Sequence, residues 1–414
     1  MLEGLRVVEI ASERAAFAGK LLADLGADVI VVEPPGGHGT RRYGPFAGGV
    51  PDPDRSLWWW HYNTSKRSVV LDLESAEGAA AFRALVAGAD LVLEGEDPGR
   101  LGGLELDHPQ LRAAQPGLIW VSVTPFGRAC ADLHLPMTDL TVLAAGGVVW
   151  NCGYDDHGLP PVRPGGEQSH HIAGLFAACG ALIAVLHRDA GGPGQHVDVS
   201  EVAAANVTTE SGSMMWLVAQ TTIARQTGRH AAPMQTMPVQ VLAADGRYVS
   251  TGFPPHSARD FQNVVDWLEE LGLEDEYPET FFLRMGVDRG GVRHWDLGDD
   301  AEAIAIYAAG REALGFIASR ISAKEFFIGA QGRDLQCGVI YAPEEAIRDE
   351  HFVARGFPTV VEHPELGREV VYPGGFFNDD EGHWQIRRRP PLVGEHTDEV
   401  LAGILESQPG GASQ

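Results

Sequence analysis

The sequence predicts an α/β protein with a doubly wound parallel sheet in its first 125 residues. Short runs rich in Val, Ile and Leu alternate there with Ala- and Leu-rich segments of helical spacing. The chain also has 51 glycines and 26 prolines, which favour many tight turns and disfavour an all-helical fold. Its length of 414 residues, at about 150 residues per domain, predicts more than one domain.

A strand–helix–strand unit is predicted at the start of the chain. Residues 5–10 (LRVVEI) form a β-branched run, residues 15–25 have helical spacing, and residues 29–33 (VIVVE) form a second strand. A unit of this kind pairs its two strands in parallel, because the helix returns the chain to the same end of the sheet. The same rhythm continues with a strand at 68–73, a helix at 76–87 and strands at 91–94 and 118–123.

A second, smaller domain is predicted after the sheet. A helix rich in Ala and Gly at 171–187 and a strand at 196–200 precede a change of composition near residue 225. A hairpin across Asp245-Gly246 and two mostly helical stretches follow. We therefore divide the chain into a large domain at 1–225, a smaller α+β domain with its linkers at 226–335, and a C-terminal part of short strands and turns at 336–414.

The net charge of −26 excludes several classes of partner. Nucleic acids need a basic surface and an anionic membrane repels an acidic one, so we expect no nucleic acid and no membrane partner. No transmembrane span is visible, because the longest apolar run near the N-terminus, residues 21–32, is broken by Asp24 and Asp28. No secretory signal precedes the first strand, so we expect a cytoplasmic protein. The four cysteines lack metal-ligand spacing, which favours reduced thiols and no metal site. An anionic ligand would therefore need a local cluster of Lys and Arg.

Two pairs of cations could form such a cluster. Arg41 and Arg42 follow the second strand, where an α/β sheet presents its ligand contacts, and Lys66 and Arg67 precede the third. Arg binds phosphate through two hydrogen bonds and Lys supplies a point charge. The alternative for both pairs is ordinary exposed surface charge. The loop at 11–14 (ASER) lacks the glycines of a GxGxxG motif, which disfavours a nicotinamide dehydrogenase.

The candidate catalytic residues Glu167, Ser169, His170 and His171 directly precede the small-residue helix. A helix N-terminus stabilises an anion and lowers the pKa of a nearby histidine, which suits a general base. The alternative is a helix cap at Ser169 with one buried, hydrogen-bonded histidine. Asp139, upstream, could cap a helix or orient a base.

Taken together, five stretches of the chain resemble the family III CoA-transferases, which include formyl-CoA transferase, the carnitine CoA-transferase and α-methylacyl-CoA racemase. They occur in family order at residues 4–9 with 25–36, 63–73 (NTSKRSVVLDL), 174–200 (ending GQHVDVS), 244–248 (ADGRY) and 391–397 (PLVGEHT). The resemblance implies a Rossmann-like large domain built from both ends of the chain, a small domain between them, and an interlocked dimer. It also implies coenzyme A or acyl-CoA as a substrate, with no permanently bound cofactor and with a carboxylate as second substrate. The CoA phosphates are then expected near Arg41, Arg42, Lys66 and Arg67.

The chain departs from the family pattern at the catalytic position. Family transferases place an aspartate four residues before the glycine that opens the small-residue helix, and counting back from Gly174 this position is His170. The racemase places its aspartate one residue earlier, which is Ser169 here, and the nearest carboxylate is Glu167. The family aspartate attacks the acyl-CoA carbonyl and forms an anhydride, then an aspartyl-CoA thioester. Imidazole can attack an acyl group, but an acyl-imidazole is not an anhydride.

Four interpretations follow from this departure. In the first, Glu167 or His170 replaces the aspartate in a CoA-transferase that works alone. In the second, the chain is the aspartate-lacking subunit of a hetero-oligomeric transferase whose related partner supplies the nucleophile. The third is a racemase- or lyase-type enzyme with His170 or His171 as base, and the fourth is a CoA-binding protein without catalysis. We expect an acyl-CoA:carboxylate CoA-transferase, acting alone or with a partner subunit, as a homodimer or a hetero-oligomer.

Overall fold

The chain folds into two units in the computed structural model, which describes residues 1–130, 135–209, 211–293 and 297–407. The first unit takes its residues from 1–152, 161–221 and 347–407, and the second from 153–160 and 222–346. The second unit is thus wider than the small domain predicted at 226–335. It also includes the short segment 153–160, which the sequence did not indicate.

A six-stranded parallel sheet forms the centre of the first unit. Its strands are β1 (Arg6–Ile10), β2 (Asp28–Glu33), β3 (Arg67–Val70), β4 (Leu91–Glu94), β5 (Ile119–Thr124) and β6 (His196–Ser200). They lie in the order β3-β2-β1-β4-β5-β6, and every neighbouring pair is parallel. This is the strand order of a doubly wound sheet, in which ligands gather beyond the carboxyl ends of the strands. The predicted parallel sheet is confirmed, and β6 extends it beyond residue 125.

Helices cover both faces of this sheet. They are α1 (Ala16–Asp24), α2 (Leu57–Tyr62), α3 (Ala76–Ala87), α4 (Arg100–Gly103), α5 (His108–Ala114), α6 (Asp139–Ala145), α7 (Gln168–Asp189), α8 (Glu201–Val207) and α9 (Ser211–Ala219). Successive residues of a strand point to opposite faces, so Val7 of β1 belongs to the core under α1 and α7, and Val8 to the core under α3. The sheet is buried on both faces, which explains its continuous apolar strands.

The helix α7 has 22 residues and is apolar enough, by length and composition, to cross a membrane. Its inner face nevertheless packs on α1 and β5 through Ala173, Gly174, Ala177 and Ala181. A Cβ added at Gly174 would lie 2.9 Å from the Cβ of Phe17, so the two helices approach as closely as the small residues allow. This packing is that of a core helix, and α7 is therefore no indication of a membrane protein.

The second unit combines helices with short antiparallel strands. Its strands are β7 (Ala224–Gln226), β8 (Arg229–Ala232), β9 (Gln240–Leu242), β10 (Tyr248–Ser250) and β11 (Gly338–Val339). Its helices are α10 (Ala258–Glu270), α11 (Thr280–Asp288), α12 (Ala301–Ala318), α13 (Ala323–Gln331) and α14 (Pro343–Ala346). The predicted hairpin is confirmed as β9 and β10, and β11 extends it to three strands. The core of this unit contains Phe261, Trp267 and Phe326.

The C-terminal part of the chain returns to the first unit. After α15 (Glu350–Ala354), the hairpin of β12 (Pro358–His363) and β13 (Arg368–Pro373) packs against α2 around Trp60. The following segment runs beside β3, where Gly394 N donates to Ser68 Oγ at 2.9 Å. The carbonyl of Pro391 accepts from Arg41 and from Trp59 Nε1, both at 3.1 Å. The last helix, α16 (Thr397–Ser407), lies on α3 and β3, so both ends of the chain build the first unit.

Candidate active site

Three segments bring acidic side chains together at the carboxyl edge of the sheet. Glu13 lies in the loop that follows β1, and Glu201 begins α8 directly after β6. Because β1 and β6 are strands of one parallel sheet, the segments that follow them emerge at the same edge. Glu167 is the N-cap residue of α7, and the packing of α7 on α1 and β5 brings its first turn to this edge.

The imidazole of His170 is enclosed by these three carboxylates. Its Nδ1 lies 2.9 Å from Glu201 Oε1. Its Nε2 lies 3.6 Å from Glu13 Oε2 and 3.8 Å from Glu167 Oε2. Burial by itself would lower the pKa of His170, but the contacts with Glu13 and Glu201 outweigh it and raise that pKa to about 9. At pH 7 this imidazole is therefore protonated.

A protonated imidazole has two N–H donors and no free lone pair. In this state His170 neither attacks an acyl group nor accepts a proton. Glu201 is buried, and its second oxygen lies 3.5 Å from Arg14 Nε. His170, Glu201 and Arg14 thus form a row of alternating positive and negative charges. In the described part of the chain, no three His, Cys, Asp or Glu side chains converge in a way that could hold a metal ion.

Glu13 is a member of this cluster that the sequence analysis missed. Its side chain is 38% exposed, and the hydroxyl of Tyr43 donates to its other oxygen. The contact with His170 lowers the pKa of Glu13, so this carboxylate is ionised at neutral pH. Its position directly after the first strand is a signal that could have found it, because this is where an α/β sheet presents functional side chains.

Ser169 is held by Asp139 at the start of α7. The backbone N–H and the hydroxyl of Ser169 both donate to Asp139 Oδ1, at 2.8 and 2.9 Å. Asp139 therefore satisfies a free N–H group of the first helical turn, as a capping residue does. Its second oxygen lies 3.5 Å from Arg163 Nε. The structure thus places Ser169 and Asp139 in a buried cap, with the hydroxyl of Ser169 directed to a carboxylate.

The neighbouring His171 is neutral, whereas His170 is protonated. Its Nδ1 lies 2.7 Å from the carbonyl oxygen of Glu167, which only accepts, so Nδ1 carries the proton and Nε2 keeps its lone pair. Nε2 lies 3.4 Å from His61 Nε2. Burial lowers the pKa of His171, and it lowers the pKa of His61 to about 3. Both rings are therefore neutral at physiological pH, next to the charged ring of His170.

Arg41 and Lys66, two of the predicted phosphate contacts, lie in the interior of the first unit. The guanidinium of Arg41 is fully buried and forms a bidentate pair with Glu33, at 2.6 and 2.7 Å. It also stacks 3.8 Å from the centre of the Trp59 ring. The ammonium of Lys66 is fully buried and lies 2.9 Å from Glu9 Oε1. Each group forms an ion pair within the chain, and the phosphate contact expected of each stays a prediction.

The other two predicted cations lie at opposite edges of the sheet. Arg67 begins β3 and therefore lies at the amino edge, away from the edge where such sheets bind ligands. Its guanidinium pairs with Asp28, at 2.9 and 2.6 Å, and with Glu399 at 3.0 Å. Arg42 ends a 3-10 helix, Gly39–Arg42, that follows β2, and it is exposed. Of the four candidates, Arg42 alone is both exposed and near the carboxyl edge.

A cleft of about 350 Å³ opens at the carboxyl ends of β1, β2 and β3. Its charged lining consists of Glu33, Asp72, Glu74 and Glu96, with Arg100 and His38 as the basic residues among those described there. Arg100 lies 3.8 Å from Glu74 Oε1 and hydrogen-bonds Glu96. Burial lowers the pKa of His38, which makes this ring neutral at pH 7. This is the place where the fold class predicts a nucleotide-containing ligand.

The sequence model of CoA-transferase family III matches residues 2–397. The chain belongs to this family. It is 32% identical, over 96% of its length and 92% of the relative, to the succinyl-CoA:(R)-benzylsuccinate CoA-transferase subunit BbsE of Thauera aromatica. It is 31% identical, over 98% of its length and 94% of the relative, to the succinyl-CoA–D-citramalate CoA-transferase of Chloroflexus aurantiacus. The crystal structure of a CAIB/BAIF family protein from Brucella suis has the same fold, with a TM-score of 0.77 at 24% identity over 97% of this chain and 99% of that one.

Membership of family III confirms the resemblance seen in the sequence. Both relatives are CoA-transferases, and this family III chain is accordingly a transferase of a class whose substrates are CoA thioesters. Family membership alone does not specify the reacting group, because one fold supports different chemistries. In this family III chain, the position that the resemblance gives to an aspartate is the buried, ion-paired His170.

Proposed function

We propose that this chain is one subunit of an acyl-CoA:carboxylate CoA-transferase, and that a related partner chain supplies the carboxylate that accepts the acyl group. The observation that carries the proposal is the state of His170. Its imidazole stands at the position of the family nucleophile, but both of its N–H groups face carboxylates. Nucleophilic catalysis needs a free electron pair at this position, and an enclosed imidazolium has none.

The interpretations that use His170 as nucleophile or base have less support from this geometry. With a pKa of about 9, His170 loses its proton only above the physiological range. Glu167 is the second candidate for an acyl acceptor within the chain. Its side chain is 36% exposed, and its carboxylate ends 3.8 Å from His170 Nε2. The neighbouring imidazolium stabilises this carboxylate and so reduces its tendency to attack a thioester.

An apolar surface on the first unit supports the presence of a partner chain. On the outer face of α7, Leu175, Phe176, Ile183 and Leu186 are exposed, the last by 70%. The helix α9 also has exposed apolar residues, at Met214, Trp216, Leu217 and Val218. Several exposed apolar side chains on one helix are typical of protein–protein contacts. The relative from Thauera aromatica is itself named a subunit, in agreement with an assembly of different chains.

The proposed reaction transfers CoA from the donor acid to the acceptor carboxylate and needs no other reagent. The partner's carboxylate attacks the thioester carbonyl, the C–S bond breaks, and CoA leaves as a thiolate. The thiolate then attacks the partner's acyl carbon in the mixed anhydride, which releases the donor acid as a carboxylate. The acceptor carboxylate takes up CoA by the reverse of these two steps. No proton or electron is gained or lost over the full cycle.

The test compares the chain alone with the chain in the presence of a related chain that carries the aspartate. The assay follows the transfer of label from succinate into succinyl-CoA, since succinyl-CoA appears in the names of both relatives. We expect no exchange by the lone chain and exchange by the pair. Hydroxylamine added during turnover converts an enzyme anhydride or thioester into a hydroxamate, and mass spectrometry should locate it on the partner.

Three results would contradict the proposal. Exchange by the lone chain, with a hydroxamate at Glu167 or Glu13, would show that this chain carries its own acyl acceptor. Loss of exchange in Glu167→Gln, with exchange retained in the matched surface variant Glu362→Gln, would support the same conclusion. Exchange of the α-proton of an acyl-CoA with deuterated water by the lone chain would instead support racemase-type chemistry.

A further inference from the structure

The cleft at the carboxyl ends of β1, β2 and β3 has an excess of negative charge, which disfavours the binding of phosphates. Four carboxylates line it, those of Glu33, Asp72, Glu74 and Glu96, and Arg100 is the one guanidinium among the described lining residues. Arg41 lies behind the cleft and is committed to Glu33 through two hydrogen bonds. Even with Arg41 counted, the carboxylates exceed the guanidinium groups by two.

Two further cations at this edge, Arg100 and Arg128, are also paired with carboxylates. Arg100 contacts Glu74 and Glu96, both of which belong to the cleft. On the far side of β4, Arg128 hydrogen-bonds Asp107 through both terminal nitrogens. Arg42, although exposed, is not among the residues that line the cleft. Phosphate recognition depends on cations that are free to form charge-assisted hydrogen bonds, and Arg41, Arg100 and Arg128 already form such bonds within the chain.

We propose that this cleft binds no CoA. The CoA thioester of the reaction is bound by the partner chain instead, so that an assembly of the two chains has one CoA site. This inference rests on the proposed two-subunit function and assigns the binding step, in addition to the nucleophile, to the partner. The role left to this chain is structural: it supplies the apolar face of α7 and α9 and completes the assembly. A low-dielectric cleft with excess negative charge concentrates a repulsive field on the phosphates of CoA.

The experiment is calorimetric titration of the purified full-length chain with CoA at low ionic strength. We expect no saturation of the wild-type chain up to about 1 mM CoA, since like charges repel most strongly without salt. The triple variant Asp72→Asn, Glu74→Gln, Glu96→Gln removes three of the four cleft carboxylates and releases Arg100 from Glu74 and Glu96. We expect this variant to bind CoA at least about tenfold more tightly than the wild type, and to lose the gain at high salt.

A matched control separates the cleft from the total charge of the protein. The variant Glu344→Gln, Glu362→Gln, Glu369→Gln removes three exposed carboxylates that do not line the cleft. It should bind CoA no better than the wild type. Thermal denaturation of both variants shows whether each is folded, so that an absence of CoA binding can be distinguished from loss of the fold.

Each outcome decides the inference. Micromolar, salt-sensitive binding of CoA to the wild-type chain would overturn it and would leave the two-subunit function intact, because that function is tested by hydroxylamine trapping. Equal behaviour of the wild type and the triple variant would also overturn it, since charge would then not be what excludes CoA. A gain confined to the triple variant supports it, as does a ratio of one CoA for two chains in the active assembly.

Discussion

Replacing His170 by Asn should remove a pH-dependent part of the stability of the first unit. The pKa of His170 rises from 6.5 to about 9 in the folded chain, and this rise corresponds to about 3 kcal/mol. The folded state binds the proton more tightly than the unfolded state. The stabilisation is therefore complete below pH 6.5, decreases as the pH rises from 6.5 to 9, and is absent above that range.

The assay is chemical denaturation of the wild type and of His170→Asn between pH 6 and pH 10. The free energy of unfolding of the wild type minus that of the variant should fall by about 3 kcal/mol across this range. The difference cancels other groups that titrate there, such as Glu9, whose pKa burial raises to about 7. His230→Asn, at an exposed position of the second unit, is the control for replacing a histidine outside this cluster.

Nuclear magnetic resonance gives an independent value of the pKa of His170. The Glu201→Gln variant should lower this pKa, because it removes the carboxylate that lies 2.9 Å from Nδ1. The reasoning is refuted if the His170 resonance titrates near pH 6.5 in the wild type. It is also refuted if the stability difference between wild type and His170→Asn stays constant from pH 6 to pH 10.

Three further predictions concern other parts of the first unit. Lys66→Met should lower the free energy of unfolding by about 3–5 kcal/mol in chemical denaturation, because it leaves Glu9 buried without its cation; an unchanged midpoint would show that the pair is not needed. Asp139→Ala should cost about 1–2 kcal/mol and speed amide exchange in the first turn of α7, since the N–H of Ser169 loses its acceptor; equal exchange would rule out the cap. Ile183→Glu, at a side chain 66% exposed, should leave the fold intact and weaken association, measured by light scattering after gel filtration; an unchanged mass would exclude α7 from the interface.

The sheet could be predicted from the sequence because each strand and helix has a recognisable pattern within a few consecutive residues. A strand buried on both faces is a continuous apolar run, and the intervening helices have their own spacing, as β1, α1 and β2 show. The small residues of α7 are also a local feature of the sequence, and they allow its close approach to α1, although the sequence does not name that partner. The segment 153–160 could not be assigned to the second unit, since its partners at 222–232 are distant in sequence.

The candidate site could be predicted only in part, because its charges are partnered across long sequence separations. His170 and Glu167 are only three residues apart in sequence, but the two carboxylates that raise the pKa of His170 come from the loop after β1 and from the start of α8. The sequence does not show whether a Lys or Arg side chain will pair with a carboxylate in the folded chain. The sequence predicts Arg41 as a phosphate ligand, but it does not show that the fold places Glu33 and Pro391 around its guanidinium.

The path of the C-terminal segment determines when the first unit can be finished during synthesis. Arg41 and Trp59 are made early, yet both donate to the carbonyl of Pro391, and Ser68 receives its bond from Gly394. A nascent chain that has emerged only as far as α14 still has these donors exposed to water and an uncovered strand at the edge of its sheet. Chains that stop early should therefore be captured by chaperones and proteases, whereas the self-contained second unit can already be folded at that time.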